Sequence, residues 1–505
     1  MKASLLFRDH DFDLQMNMPP NEQTLAKDLE LNTLFGAMAL GDEFLFEGAK
    51  NAVLSGLKND PETIIYRQDI IKDCLKNPSI TRRIYNIAAE AVEGEKKAYY
   101  LSFFSRYPDA ILSRSIEVLT MFVDRLQKIK KIGEEHADKY ESEGFTRFFA
   151  MLKKELSDEY FEAIQRHLRE LKFSDGVLMS AELGKGIKGI NYTLRKTIGK
   201  KKSWIERIFI PRTPAYSYNI APRDESGARA LSELKGKGIT LVANALAQST
   251  DHILSFFTIL RNELAFYVGC VNLHEQLVRM GEPASFPEPA VSIECGHSFR
   301  GLYDVCLALT MKRKIVGNDM SADGNNIVII TGANEGGKST FLRSVGLAQL
   351  MMQCGMFVPA DAFSSGVYDS LFTHFKREED MTIKSGKLDE ELKRMSEIVD
   401  RISPNTMLLL NESFAATNER EGSEIARQII CALKEKRVTI FYVTHLYEFA
   451  LGIYEKNAEK TIFLRAERQT DGGRTYKILT GKPLPTSYGR DLYGLIFGTD
   501  RENIK

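Results

Sequence analysis

The chain has 505 residues, more than a single hydrophobic core usually organises, so two or more domains are expected. Its 68 basic and 68 acidic residues give a formal net charge of zero, which excludes bulk electrostatic attraction to nucleic acid. The six cysteines are scattered without zinc or redox spacing. No apolar run has the form of a signal peptide or the length of a membrane span. We therefore expect a cytoplasmic protein with no membrane partner.

The first half of the chain has a helical composition. Residues 29–154 are rich in Leu, Ala, Glu and Lys, and Pro78 and Pro108 are expected to separate helices. Farther on, apolar residues at helical spacing predict one continuous helix from about Leu241 to Met280. Such a helix is about 60 Å long and suits a lever. The same stripe also fits a buried helix or a coiled-coil seam.

A basic cluster lies before this helix. From Lys185 to Arg212 there are nine cations and a single acid, Glu206. Such a cluster suits contact with a nucleic-acid backbone, because phosphate binding needs cations rather than base-reading groups. A solvated loop is the alternative. The candidate DNA-binding residues are Lys185, Lys188, Arg195, Lys196, Lys200, Lys201 and Lys202.

A glycine-rich motif follows in the second half, where short β-branched runs alternate with helical segments. The stretch from Gly332 to Ser339 fits the P-loop pattern and stands between an apolar strand, 327–330, and an apolar helix, 340–352. Glycines allow backbone N–H groups to surround phosphate oxygens at a helix N-terminus. Lys338 is expected to bind the β- and γ-phosphates, and Ser339 to bind Mg²⁺. The candidate nucleotide-binding residues are Gly332, Ala333, Asn334, Glu335, Gly336, Gly337, Lys338, Ser339 and Thr340.

Two further apolar strands end in polar residues. The run 407–410 ends at Asn411 and Glu412, and the run 438–443 ends at Thr444 and His445. Parallel strands place ligands at their carboxyl ends. We therefore predict Glu412 as the general base, Ser339, Asn411 and Glu412 as metal ligands, and Lys338 and His445 as further catalytic groups. His445 is expected to sense the γ-phosphate, with a purely structural histidine as the alternative.

These motifs resemble the MutS family. The stretch Thr331–Phe363 is similar to the family's P-loop, its helix and its Val-Pro-Ala segment, and Asn318 is similar to the asparagine of the Asn-Asp turn near the nucleotide base. Asn411–Gly422 resembles the family's Walker B region. His445 and Glu448 resemble its Thr-His-x-x-Glu pattern.

The resemblance implies a C-terminal α/β, ABC-like P-loop ATPase domain preceded by a mainly α-helical core and lever with a small clamp. The expected segments are a helical core and lever at 1–135, a clamp-like region at 136–224, a lever helix at 225–289 and the ATPase domain at 290–505. ATP and Mg²⁺ are the implied ligands. The implied assembly is a homodimer in which each nucleotide lies between two subunits. Ser385 and Gly386 would belong to the signature segment that one subunit contributes to the site of the other. In an alternative alignment with the family, residues 386–388 form that segment.

Three departures from the family pattern modify this expectation. Asn411 stands where the family has an aspartate, which predicts weaker Mg²⁺ binding or slow hydrolysis. No mismatch-reading domain is expected before residue 29, and no nuclease or Smr-like extension is expected after the ATPase domain. The predicted function is therefore nucleotide-gated binding of duplex or branched DNA in repair or recombination. The alternatives are an ATP-bound clamp with negligible hydrolysis and an ABC-type ATPase that acts on a non-DNA partner.

Overall fold

The computed structural model describes residues 1–13, 18–102, 107–174, 176–195, 217–290, 296–322, 324–377, 386–456, 460–468 and 474–484. The chain forms two compact units. The first comprises Met1–Ala3, Arg82–Asp138 and Thr146–Arg261, and the second comprises Ser4–Thr81, Lys139–Phe145 and Asn262–Lys505. Each unit is therefore assembled from segments that are distant in sequence. The four segments expected from the sequence remain a prediction.

The helices begin where the sequence supplies caps. The Asp42 carboxylate accepts hydrogen bonds from two backbone N–H groups of the helix that follows it, and Asp60 caps the next helix, which has Pro61 in its first turn. The α-helices are α1 (Glu22–Asp28), α2 (Leu31–Ala39), α3 (Glu43–Ser55), α4 (Pro61–Lys76), α5 (Pro78–Ser102), α6 (Pro108–His136), α7 (Glu143–Glu155), α8 (Asp158–Leu171), α9 (Glu225–Met280), α10 (Val305–Met311), α11 (Lys338–Gln353), α12 (Lys387–Val399), α13 (Glu419–Glu435) and α14 (Tyr447–Glu455).

Within the described ranges, the strands form three sheets. They are β1 (Leu178–Leu183), β2 (Gly189–Arg195), β3 (Glu288–Ala290), β4 (His297–Leu302), β5 (Asn318–Ser321), β6 (Ile327–Thr331), β7 (Ala362–Gly366), β8 (Ser370–Phe375), β9 (Thr406–Asn411), β10 (Thr439–Val443), β11 (Thr461–Arg468) and β12 (Arg474–Thr480). Strands β1 and β2 form an antiparallel hairpin. The other two sheets have the orders β12-β11-β6-β10-β9-β8 and β3-β7-β4-β5.

The first unit is mainly helical. Along α6 the apolar side chains of Ile116, Leu119, Phe122 and Leu126 recur every three or four residues and are buried. The Phe122 ring packs against Phe257 with ring centroids 5.4 Å apart. Helices α5 and α6 begin at the two prolines that the sequence predicted as breaks, because proline is tolerated in the first turn of a helix but not in its interior.

The second unit contains the six-stranded sheet. Strands β11, β6, β10, β9 and β8 run parallel, and β12 pairs antiparallel with β11. Every residue of β6 and of β10 is buried, as expected for parallel strands covered on both faces. Ile329, Leu408 and Ile440 belong to one apolar core with Phe449 and Ile430 of the neighbouring helices. This packing holds the carboxyl ends of the parallel strands in fixed register.

The longest helix, α9, differs from the prediction at one end. It ends at Met280 and begins at Glu225, the start of the expected lever segment, although the apolar periodicity predicted a helix only from about Leu241. In the part of the chain that the structure describes, it is the one helix long and apolar enough to cross a membrane, and 72% of its apolar window is buried within the protein. Mostly buried core helices meet the same criterion.

A buried arginine anchors the N-terminal residues in the second unit. The Arg67 side chain is fully buried, and its Nε donates to the Leu6 carbonyl at 2.9 Å. Its Nη1 donates to the Cys354 carbonyl at 3.3 Å, and its guanidinium lies 4.5 Å from the centre of the Phe7 ring. Burial lowers the pKa of Arg67. The arginine thus satisfies two carbonyls that no water reaches.

We predict that Arg67→Ala lowers the free energy of unfolding by about 3 kcal/mol, because it leaves two buried carbonyls without donors. Urea denaturation followed by circular dichroism measures this change. Arg8→Ala is the matched control: Arg8 is about half exposed and forms surface ion pairs with Glu62 and Glu143, so its loss is expected to cost less than about 1 kcal/mol. Equal costs for the two variants would contradict the anchoring role of Arg67.

Candidate functional site

The loop between β6 and α11 requires glycine at several positions. Gly332 and Gly337 have φ values of 113° and 88°, which residues with a Cβ rarely adopt. A Cβ on Gly332 would lie 2.9 Å from the Ala466 nitrogen, and one on Gly336 would lie 2.7 Å from the Ala466 Cβ. Gly337 is the N-cap of α11. The loop therefore presents backbone amides at a helix N-terminus, where the helix dipole favours an anion.

Lys338 lies at the centre of this loop. Its Nζ donates to the carbonyls of Gly332 and Ala333, both at 2.8 Å, and its side chain is buried. Burial lowers the pKa of Lys338 to about 8, the nearby Glu412 carboxylate acts to raise it, and Arg474 lowers it further. A partly desolvated ammonium of this kind is well suited to bind phosphate oxygens.

Two oxygens of the kind that hard cations bind lie together beside the loop. The Ser339 hydroxyl donates to Asn411 Oδ1 at 3.0 Å. Hydroxyl and amide oxygens suit Mg²⁺, which retains several waters and shares phosphate oxygens. Within the described residues, no cluster of three or more His, Cys, Asp or Glu side chains is placed to hold a metal ion. The oxygens of Ser339 and Asn411 fit Mg²⁺, which prefers oxygen ligands and usually keeps several waters.

Glu412 and His445 form a pair at the ends of adjacent strands. His445 Nε2 lies 2.7 Å from Glu412 Oε1, and Lys376 Nζ lies 3.7 Å from Glu412 Oε2. The hydrogen bond with His445 is the largest cause of the lowered pKa of Glu412, and partial burial opposes it. The carboxylate is therefore ionised near neutral pH and is able to accept a proton.

A cavity of about 540 Å³ opens beside these groups. Among the predicted residues, those that line it are Asn318, Asn334, Glu335, Gly336, Gly337, Lys338, Ser339, Thr340 and Glu412. Gly332, Ala333, Asn411 and His445 are not among its lining residues but contact those that are. The structure thus brings the predicted loop, base and strand-end residues to one site.

Sequence reasoning missed the other wall of this cavity. Tyr303, Leu307, Val316 and Tyr476 line it with the cations Arg313 and Lys314. The run Lys312-Arg313-Lys314, just before the predicted Asn318, was the available sequence signal. Asn318 itself also has a structural role, because its Oδ1 accepts the Ile478 N–H at 2.8 Å.

The remaining predicted residues lie elsewhere. Gly386 is the N-cap of α12, while Ser385 lies outside the described residues. Lys185, Lys188 and Arg195 lie in or beside the β1–β2 hairpin of the first unit, with both lysines exposed. Lys196, Lys200, Lys201 and Lys202 lie outside the described residues.

Comparisons with known proteins match both halves of the chain. Residues 59–280 match the MutS2 N-terminal domain, and residues 328–496 match MutS domain V. The chain is 31% identical over 237 residues to endonuclease MutS2 of Lacticaseibacillus casei, covering 44% of this chain and 30% of that protein. It is 30% identical over 179 residues to DNA mismatch repair protein MutS of Thermus aquaticus, and 26% identical over 197 residues to MutS protein homolog 4 of Mus musculus. These matches cover 35% and 38% of this chain and 22% and 21% of the relatives.

The parallel sheet with a glycine-rich loop lies in the region that matches MutS domain V, which is a P-loop ATPase domain. The chain belongs to the MutS family. The matched segments span less than a third of the length of each of these relatives. For the first half, the match to the MutS2 N-terminal domain is more specific than the general resemblance to MutS core and lever regions that the sequence predicted.

The close approach of the loop to Ala466 predicts that Gly336→Ala is destabilising. The new Cβ would also lie 3.0 Å from the Ala333 carbonyl oxygen, and relieving these contacts is expected to cost about 1–3 kcal/mol. Thermal unfolding measures the effect. In the control variant Gly452→Ala, the new Cβ on α14 meets nothing within 4 Å, so stability is expected to rise by about 0.5–1 kcal/mol. Unchanged stability of Gly336→Ala would show that the loop is not closely packed.

Proposed function

We propose that this protein is a MutS-type ATPase whose nucleotide-bound state grips DNA. The observation that carries the proposal is the meeting of Lys338, the Ser339–Asn411 pair and the Glu412–His445 pair beside one cavity. Membership of a family whose domain V is an ATPase domain supports the same reaction. The relatives' names concern DNA mismatch repair and endonuclease activity, which supports a role in DNA repair or recombination.

Each residue of the site has a proposed role. The loop amides and Lys338 bind the phosphates of ATP, and Ser339 and Asn411 hold Mg²⁺, which would neutralise charge that develops on the phosphates. Glu412 orients the attacking water and accepts its proton. His445 holds the Glu412 carboxylate through their 2.7 Å contact and would sense the γ-phosphate. Tyr303, Leu307 and Val316 provide an apolar wall for the rest of the nucleotide.

Asn411 is expected to slow the reaction. An amide oxygen carries no full negative charge, so it attracts Mg²⁺ and its water shell less strongly than a carboxylate would. In the alternative function, hydrolysis is negligible and bound ATP serves as a structural ligand of the clamp. The Ser339–Asn411 bond favours retained metal binding, because the amide oxygen already faces the hydroxyl.

The proposed assembly is a cytoplasmic homodimer in which Ser385 and Gly386 of one subunit approach the nucleotide of the other. Nucleotide contacts between subunits would then change how the dimer grips DNA. The DNA-contacting residues are proposed to be the cations in and after the β1–β2 hairpin. A second alternative keeps the ATPase but assigns the helical unit to a non-DNA partner.

Steady-state phosphate release tests the enzymatic proposal. Glu412→Gln is expected to lower turnover roughly 100-fold or more while ATP still binds, because the amide cannot accept the proton. Lys338→Ala is expected to abolish binding of labelled ATP. Phosphate release that is equal in the wild type and in Lys338→Ala would favour the non-hydrolysing clamp, and wild-type turnover in Glu412→Gln would assign water activation to another group.

Measurements of DNA binding over a series of salt concentrations test whether DNA is the partner of this protein. Substituting Lys185, Lys188, Lys200, Lys201 and Lys202 by Glu is expected to weaken binding of duplex and junction DNA and to reduce the salt dependence, because fewer counterions are released. ATP affinity is expected to remain unchanged. Lys131→Glu is the control, because Lys131 is an exposed lysine of α6 in the same unit. Absence of wild-type binding at low salt would favour the non-DNA partner.

A further inference from the structure

Glu412 occupies a backbone conformation that ordinary residues avoid. Its φ is 53°, and Phe414, two residues later, has a φ of 65°. A residue with a Cβ in this region costs about 1–2 kcal/mol, and such residues persist only where their surroundings determine them strongly. The Glu412 N–H donates to the Val443 carbonyl at 2.8 Å, which accounts for one restraint. The conformation of residues 412–414 requires further restraints.

His374 of β8 supplies further restraints on this segment. Its Nδ1 lies 2.7 Å from Ser413 Oγ, and the Ser413 hydroxyl also lies 2.8 Å from the His374 carbonyl oxygen. The imidazole stacks on the Phe414 ring with centroids 5.7 Å apart. Its Nε2 lies 3.1 Å from the Glu391 carbonyl oxygen of α12. His374 and Ser413 are both fully buried. One side chain thus contacts both residues that follow Glu412 and anchors them to a helix.

The positions of the hydrogens on the His374 ring follow from the groups that its two nitrogens contact. A carbonyl only accepts, so Nε2 carries the hydrogen that is donated to Glu391. Burial lowers the pKa of His374 to about 4, so the ring is neutral, and the single Ser413 hydroxyl hydrogen is shared between Nδ1 and the His374 carbonyl oxygen. The Ser413 carbonyl accepts from the Tyr442 hydroxyl at 2.7 Å, and the Glu391 carboxylate accepts from the Phe414 N–H. Every one of these bonds involves the segment 412–414 or the ring that supports it.

We propose that His374 is a positioning residue for ATP hydrolysis, holding Ser413 and Phe414 so that the Glu412 carboxylate faces the attacking water. This inference rests on the proposed function of Glu412 as the general base. It assigns to a residue of β8 a role in which it contacts neither nucleotide nor metal. A carboxylate displaced by about 1 Å loses on the order of a hundredfold in rate, so the cluster is expected to affect turnover far more than nucleotide affinity.

Three substitutions of His374 separate its two hydrogen bonds. His374→Phe keeps a ring over Phe414 but removes both bonds, and it is expected to lower kcat about 10- to 100-fold with the Kd for ATP changed by less than about twofold. His374→Gln places an amide near the Nε2 position and is expected to behave like His374→Phe. His374→Asn places an amide oxygen near the Nδ1 position, where it accepts from Ser413, and is expected to restore kcat to within about threefold of the wild type.

The matched control is His297→Phe. His297 is also buried, its pKa is lowered by burial to about 3, and its Nε2 lies 3.3 Å from Ser365 in the other sheet of the same unit. This variant is expected to change stability but not kcat. Should His374→Phe fold poorly, Ser413→Ala removes the same bond from the other side and is expected to lower kcat similarly. Wild-type kcat in both variants, or equal kcat in His374→Gln and His374→Asn, would overturn the proposal.

A second measurement does not depend on turnover. In protein labelled with ¹⁵N at its eight histidines, His374, assigned by the signals lost in His374→Asn, is expected to show a neutral ring with hydrogen on Nε2. Its signals are expected to shift in Glu412→Gln, because the two residues share the restrained segment. Unshifted signals would overturn the link between His374 and Glu412. Phosphate release that is no faster than in Lys338→Ala would instead contradict the proposed function, so the two failures are distinguishable.

Discussion

The site depends on the register of three parallel strands. Ile330 of β6 pairs with Val443 of β10, and Val443 pairs with Asn411 of β9, so the three strands end side by side. Strand β6 leads into the glycine-rich loop, β10 leads into Thr444, and β9 leads into Glu412. Two backbone hydrogen bonds, from Thr444 N–H to the Ile330 carbonyl and from Glu412 N–H to the Val443 carbonyl, extend the ladder beyond the last paired residues. A shift of one strand would separate the groups that the proposed chemistry requires.

The charged groups of the site stabilise one another in a partly desolvated environment. Burial lowers the pKa of Lys338 and the Glu412 carboxylate raises it, while the bond with His445 lowers the pKa of Glu412. At neutral pH the lysine is mostly protonated and the glutamate is ionised. A loop suited to binding anions and an ionised carboxylate therefore line the same cavity, which lies beside the apolar core of the sheet. Such an arrangement limits how far the polar groups of the site would have to rearrange when a phosphate binds.

Sequence reasoning predicted the local parts of this site well. The P-loop pattern between a buried strand and a helix, the polar residues after β9 and β10 and the two prolines at helix starts are all short-range signals, which chain geometry determines directly. The apolar periodicity alone placed the start of α9 too late, because residues 225–240 have no clear apolar pattern. The position of Arg313 and Lys314 in the cavity wall was missed, because a short run of cations usually marks a solvated loop.

What the sequence determined by itself is the set of groups for the proposed chemistry: a glycine-rich loop proposed to bind phosphate, a hydroxyl and an amide proposed to hold Mg²⁺, and a carboxylate and a histidine that each follow an apolar strand. Only the tertiary structure decided how those groups are held. His374 is 38 residues from Glu412 in the chain, and neither its ring stacking on Phe414 nor its bonds to Ser413 and Glu391 leave a local pattern. The close contact between Ala466 and the glycine-rich loop likewise leaves no local pattern in the sequence. Contacts between distant segments depend on packing of the whole sheet, and no short window of residues encodes them.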